Sequence, residues 1–296
     1  MTDGAKGIAC ALLAPLAWAT AVILFKRSDR ASPASLNLFK NSFALVLLSV
    51  TLVTLGSGLP RDRSLWDWSR LAVSGLLGLA IADTLLFAAL ARIDAARLAA
   101  VDTLYSPIVV ALSIVFLGET PTASFLVGAA AVVAGIAIAT VRRGFPAAHR
   151  QVWAGTLFGI GAIAGTAIGV VIAKPVLERS DLIEVTWTRM CFGLIGQTAW
   201  IAATGRLDEA RQAFRPSPLW RTLVPAAFVG AFLSLLLWLG AFKWASASVA
   251  AVLTQLATVY VLILARVVLG ETLRPAQVVG TLLAAGGALW IVVSRG

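Results

Sequence analysis

The chain has 296 residues, of which 59% are hydrophobic and only 13% charged, with a mean hydropathy of +0.91. A soluble domain carries roughly 25% charged residues, so this one lacks the polar surface to face water on all sides and is expected to be an integral membrane protein. The formal net charge of +10 would suggest nucleic acid for a soluble protein, but the basic residues stand mostly between apolar runs, so the expected partner is membrane lipid and not nucleic acid.

Apolar runs of about 20 residues suffice to cross a bilayer as helix. Ten follow one another along the chain: roughly 7–26, 33–55, 70–92, 95–117, 121–141, 154–177, 180–203, 221–243, 246–268 and 273–293. The first, entered from MTDGAKG, is too long for a signal-peptide core and reads as a retained span. The longest polar connectors are GLPRDRSLWDWSR (58–70) and GRLDEARQAFRPSPLWR (205–221), neither long enough for a soluble domain. RRGFPAAHRQ (142–151) joins the fifth run to the sixth and divides the chain into units 1–145 and 146–296. Cys10 and Cys191 lie within apolar runs and His149 stands alone in a connector. They give no disulfide framework, no metal-ligand spacing and no His-based triad, so no metal, cofactor or enzyme activity is expected.

LGET occurs at 117–120 and again at 269–272, an offset of 152 (269 − 117), about half the chain. Laid at that offset, residues 71–140 match roughly a quarter of 223–292, above what shared apolar composition gives. Gly78 meets Gly230, Gly128 meets Gly280 and Gly135 meets Gly287. Near the start of each unit, Lys26 meets Lys174, and Lys40 meets Arg189. Each unit therefore holds five spans, and an odd number inserts the second copy upside down. The expected fold is all-α: ten transmembrane helices as two inverted five-helix repeats around a central cavity, an arrangement typical of transporters. LGET itself reads as scaffold. Gly118 and Gly270 suit a left-handed helix end, Thr120 before Pro121 suits a helix start, and Glu119 and Glu271 would favour the positive end of the next helix. Gly128 and Gly135, seven apart on one face, suit close helix packing.

With Trp18 in the first span, Lys26 and Lys174 ending the first span of each unit, Lys40 and Arg189 early in the next, and the paired LGET turns, the chain resembles the drug/metabolite transporter superfamily in its ten-span, EamA-type form. The resemblance covers nearly the whole chain. It implies a cavity lined by spans 1–4 and 6–9, with spans 5 and 10 peripheral, and export of amino acids and related small metabolites. The branch it is most similar to is that of the aromatic amino acid exporters. It further implies a multi-pass protein of a bacterial inner membrane with cytoplasmic termini. Charge gives the opposite orientation, because Arg142, Arg143, Arg150, Arg206, Arg211 and Arg215 follow odd-numbered spans. Arg61, Arg63 and Arg70 contest that side, and cytoplasmic termini are expected on the resemblance.

A charge deep in hydrocarbon costs at least about 2.5 kcal/mol, so each needs a partner or a cavity. Lys40, Asp83, Asp102 and Arg189 stand inside spans. The first three share a level roughly 10–14 Å below one surface; Arg189, the counterpart of Lys40, belongs nearer the other. The counterparts of Asp83 and Asp102 are Leu235 and Thr254, so Arg189 lacks the carboxylates its twin keeps. Glu184 is close in sequence but five positions is poor facing geometry. An unpartnered guanidinium invites a carboxylate ligand through two parallel hydrogen bonds, and Asp83 or Asp102 would take an ammonium. The same residues also admit a structural Lys40–carboxylate pair or gate, and an arginine that snorkels to the interface. Tyr105 and Ser106 follow Asp102 at helical spacing, Pro107 frees carbonyls in that turn, and Thr254, Gln255 and Thr258 make the matching patch. Trp18, Trp187 and Trp238 lie deep enough to be cavity walls for an apolar or aromatic side chain, or core packing.

The substrate-binding set is therefore expected among Trp18, Lys40, Asp83, Asp102, Tyr105, Ser106, Trp187, Arg189, Trp238 and Gln255. The function expected is export of amino acids, aromatic or otherwise apolar, by alternating access, as an uncoupled facilitator sufficient as a monomer. The alternative is a proton-coupled multidrug or metabolite antiporter, in which an aspartate releases a proton as substrate binds. An enzyme would need a nucleophile–base pair or metal ligands at one depth, and a channel would need rings of like charge; neither pattern is present.

Overall fold

The computed structural model describes residues 2–26, 33–55, 58, 62–90, 92–93, 98, 101–140, 150–269 and 274–294. Ten helices carry the expected spans among them. In the first half these are α1 (Asp3–Lys26), α2 (Pro33–Thr54), α3 (Leu65–Gly75, π-helical Leu76–Ile81, then Ala82–Leu90), α4 (Tyr105–Leu117) and α5 (Ala123–Thr140). In the second they are α6 (Arg150–Arg179), α7 (Leu182–Ala203), α8 (Trp220–Ala227, π-helical Phe228–Leu233, then Ser234–Trp244), α9 (Ala247–Thr254 and Ala257–Leu269) and α10 (Pro275–Val293). Among the described residues, 7 helices are long and apolar enough to span a membrane, and Tyr105–Leu117 and Ala123–Ile138 are shorter apolar helices. Helix α7 has the length of a span but carries Glu184 and Arg189.

Local chemistry sets the helix ends. α3 begins before the expected residue 70 because the Ser64 hydroxyl accepts from the Asp67 amide at 3.2 Å and caps the helix. Gly118 closes α4 in the left-handed conformation at φ 67°, as its place in LGET suggested. The start of α5 falls later than expected. Thr122, not Thr120, supplies the cap, its hydroxyl accepting from Phe125 N at 3.2 Å, and Pro121 stands ahead of the helix. Glu119 was expected to serve the positive end of α5, but it binds the start of α9 instead. Gly270, Glu271 and Thr272 of the second LGET lie outside the described residues, as do Arg142, Arg143 and His149.

Side-chain contacts between connectors confirm the inverted insertion. Gly7, near the N-terminus, packs against the main chain of Trp244 and Ala245, between α8 and α9. Lys174, near the end of α6, donates to the carbonyls of Phe242 (2.7 Å) and Ala245 (2.9 Å). Lys243 donates in return to the carbonyls of Leu177 (2.8 Å) and Ser180 (2.5 Å). Arg179 at the end of α6 pairs with Asp67 at the start of α3. The N-terminus, the start of α3, the end of α6 and the α8–α9 junction thus share one end, called here the terminal end. α3 leaves it as its repeat mate α8 arrives there, which is what an upside-down second copy requires.

Helices α5 and α10 lie back to back. A Cβ on Gly135 would fall 2.5 Å from Ala284 N, and one on Gly128 only 3.0 Å from the Gly287 carbonyl, so the backbones meet as small residues allow. The largest core runs through the buried residues of α6 and α9, including Val170, Val176, Val249 and Leu253.

Candidate functional site

A cavity of about 300 Å³ lies between the repeats and takes its walls from α1–α4 and α6–α9, with none from α5 or α10. That volume suits a small metabolite. Its walls are where regular helix gives way. α3 and α8 are π-helical at Leu76–Ile81 and Phe228–Leu233, ranges separated by the 152 positions of the repeat, with Gly78 and Gly230 at the wall. A π turn displaces one residue per turn from the α register and occurs chiefly where a helix borders a functional space. α4 is preceded by a non-helical turn at Thr103–Leu104, and α9 breaks at Gln255–Leu256, again in register. Pro107 has no amide to offer the Thr103 carbonyl, which accounts for the first break. In α9, Gln255 N and Leu256 N reach back only three residues, to Val252 O (3.3 Å) and Leu253 O (3.1 Å). The two breaks are tied together, because Gln255 Nε2 donates to the Asp102 carbonyl at 2.7 Å.

Of the residues expected at a binding site, Trp18, Lys40, Asp83, Asp102, Tyr105, Arg189, Trp238 and Gln255 all line this cavity. Lys40 Nζ lies 3.6 Å from Asp83 Oδ2 and donates to Asn41 Oδ1 at 2.9 Å. Asn41 Nδ2 passes the network to Gln197 Oε1 on α7 (3.1 Å) and Asn37 Oδ1 (3.3 Å). Asn37, Asn41 and Gln197 are buried polar groups that the sequence reading did not single out. Asn37 and Asn41 are four apart on α2 and Lys40 is their neighbour, a helical-face signal that charge alone overshadowed.

Arg189 sits at the deep, terminal-end side of the same cavity, only 2% exposed. It does not snorkel to the interface. Its guanidinium carbon stands 5.8 Å from the Trp238 ring centroid, and its Nε and Nη1 have no hydrogen-bond partner among the described residues. Glu184 is not available to it. That carboxylate is held by Arg63 through Nη1–Oε1 (2.5 Å) and Nη2–Oε2 (2.6 Å), and the Thr188 hydroxyl donates to it at 3.1 Å. Arg63, expected as a loop charge, is therefore a buried one. No cation pairs with the Asp102 carboxylate among the described residues; only its carbonyl is engaged. The Tyr105 hydroxyl is buried with no hydrogen bond of good geometry among the described residues, and it lies close to Trp238 and within electrostatic reach of both Asp102 and Arg189.

Ser106 and Trp187 lie off the cavity. Ser106 is 1% exposed and packed away from the wall. The spacing from Asp102 that seemed to bring it there does not hold across the non-helical turn between them. Trp187 faces α2, where its Nε1 donates to Ser49 Oγ at 2.8 Å and its ring packs with Ala44, Leu48 and Met190.

The exposure of the charged groups tells which way the cavity faces. Lys40 and Asp83, nearer the end opposite the termini, keep 15% and 21% of their side-chain surface, while Arg189 is sealed. At the terminal end the repeats are bound by Arg63 to Glu184 and Ser180, by Arg179 to Asp67, and by Glu119 to α9. The cavity is closed there and opens away from it.

A family model described as EamA-like transporter family matches the chain twice, over residues 5–141 and 153–293. Among 29 matching chains of solved structures, one described simply as the crystal structure of a protein is 19% identical, with 98% of each chain covered and a TM-score of 0.81. At that identity the likeness speaks for the fold. The comparison with curated proteins found no match.

Proposed function

The chain belongs to the EamA-like transporter family, and on that premise we propose that it exports amino acids, aromatic or otherwise apolar, and related small metabolites by alternating access. The observation that carries this reading is a pair of opposite charges on one cavity with no ion-pair partner among the described residues: the Arg189 guanidinium, whose Nε and Nη1 also lack hydrogen-bond partners among them, and the Asp102 carboxylate. A zwitterion supplies a carboxylate to the first and an ammonium to the second, and each bond replaces hydration lost on entry. Asp83 is the weaker candidate for the ammonium because Lys40 already stands beside it. Trp18 and Trp238 then flank an apolar or aromatic side chain.

Units 1–145 and 146–296 act as the two rocking halves, so one chain is sufficient. We place it in a bacterial inner membrane with cytoplasmic termini, so that the open cavity faces the periplasm; labelling of a terminal tag in intact cells and in opened cells tests that orientation. The second reading, a proton-coupled multidrug or metabolite antiporter, draws on the same unpaired Asp102.

The test is uptake and counterflow in proteoliposomes with a panel of aromatic, aliphatic and charged amino acids, with and without an imposed pH gradient. Counterflow of aromatic and apolar amino acids that ignores the gradient supports the facilitator. Uptake driven by the gradient supports the antiporter, and no counterflow of any amino acid sinks the amino-acid reading.

A further inference from the structure

The LGET turn does more than end a helix. The first segment of α9 starts at Ala247 and Ser248, both buried, where the amides of a helix start need acceptors. Its own capping residue does not provide one: Ser246 makes no cap bond, and its hydroxyl has no partner among the described residues. The acceptor comes from the other repeat. Glu119 Oε1 takes the Ala247 amide at 2.5 Å, and Oε2 takes the Ser248 amide at 3.1 Å and the Ser248 hydroxyl at 2.6 Å. The Ser248 hydroxyl also meets the Ser113 hydroxyl of α4 at 2.8 Å. A carboxylate at the positive end of a helix, with charge-assisted bonds to two amides and a hydroxyl, is among the stronger polar contacts available.

Position distinguishes this contact from the others at the same end. Lys174 and Lys243 tie α6 to α8, both in the second repeat, and move with it. Arg63 and Glu184 join α3 and α7, and Arg179 and Asp67 join α6 and α3, pairs that also pack along their length through Gly75 and Gly193 and through Gly169 and Ser74. Glu119 joins α4 to α9, two helices that line the central cavity at Tyr105 and Thr254 and reach, at Leu117 and Val249, a second hollow of about 860 Å³ at the terminal end. That hollow is lined by Thr2, Glu119, Lys174, Lys243 and Ser246 and shares no lining residue with the central cavity. If α4 and α9 part when the terminal end opens, Glu119 exchanges the α9 amides for water.

We propose that Glu119 is the latch of the terminal gate, a carboxylate of the first repeat that holds the transporter closed at this end by capping α9 of the second. The inference rests on the alternating-access reading above. The latch sets the balance between the two open states and leaves the substrate contacts untouched.

The experiment uses the full-length protein in nanodiscs with Cys10 and Cys191 replaced by alanine and a reporter, V109C, placed where Val109 is fully buried on α4. Its rate of reaction with a bulky, membrane-impermeant maleimide measures opening. Loss of charge-assisted bonds in Glu119→Gln should raise that rate roughly tenfold. Ser248→Ala keeps both main-chain bonds and should raise it about threefold, which serves as the readout if Glu119→Gln folds poorly. Unchanged rates in both variants, in protein whose parent still responds to an amino acid shown to be transported, overturn the latch. A parent rate that no transported amino acid alters overturns alternating access itself.

Discussion

Helix α3 swells into a π turn at Leu76–Ile81 and α8 does the same at Phe228–Leu233; a turn precedes α4 at Thr103–Leu104 and another interrupts α9 at Gln255–Leu256. The two walls of the cavity share this backbone and differ in what they carry. The first repeat presents Lys40, Asp83 and Asp102, and the second presents Arg189, Leu235 and Thr254 at the matching positions. On the alternating-access proposal, this symmetric backbone irregularity is what would let one unit take the two packings that inverted repeats exchange between inward- and outward-open states. Asymmetric side chains give the proposed site its single orientation. One cation, Lys40, stands beside a carboxylate of its own repeat, and the other, Arg189, has no ion-pair partner among the described residues and is the one proposed to meet a ligand.

That contrast can be broken most directly at the unpaired cation. Arg189→Ala should lower transport in proteoliposomes by at least about 100-fold, the scale of a lost bidentate ion contact. Thermal stability should change little, because Arg189 Nε and Nη1 bond no described residue and the substitution forfeits only the 5.8 Å contact with the Trp238 ring. Uptake at the parental rate would remove Arg189 from the site. Asp102→Asn should cost about 30-fold for an amino acid and far less for the analogue lacking the amine, measured as the ratio of the two inhibition constants. Equal losses would mean that Asp102 does not read the ammonium.

The asymmetry can also be erased. Leu235→Asp gives Arg189 the carboxylate that Asp83 gives Lys40, and the resulting internal pair should compete with substrate and weaken its apparent affinity about tenfold. Unaltered affinity would show that the second repeat does not reproduce the pairing geometry of the first. The smallest effect is expected outside the cavity. Trp187→Phe removes the bond to Ser49 and should cost about 1 kcal/mol of stability, read as a lower melting temperature, with substrate affinity unchanged.

Helix number, span order and inversion were legible because hydrocarbon demands long apolar helices and because LGET, the paired glycines and the Lys40–Arg189 match repeat at one spacing. Most of the charged site was legible too, since Lys40, Asp83, Asp102 and Arg189 are conspicuous against an apolar background. Other parts were not. The π turns leave no periodicity signal, because one extra residue per turn shifts the register without changing composition. The α9 break has no proline to announce it. Trp187 and Ser106 looked like cavity residues by depth and spacing, quantities that do not say which neighbour a helix face meets.

The sequence by itself determined a ten-helix membrane protein of two inverted repeats with isolated charges inside, because burying polar backbone and placing charge in lipid are costs that every membrane chain answers locally. The tertiary structure decided who pairs with whom. It gave Glu184 to Arg63, Glu119 to α9 and Lys40 to Asp83, and it left Arg189 and Asp102 facing one cavity. Ion pairing is decided by distances of a few ångströms between helices, and no spacing along the chain encodes them.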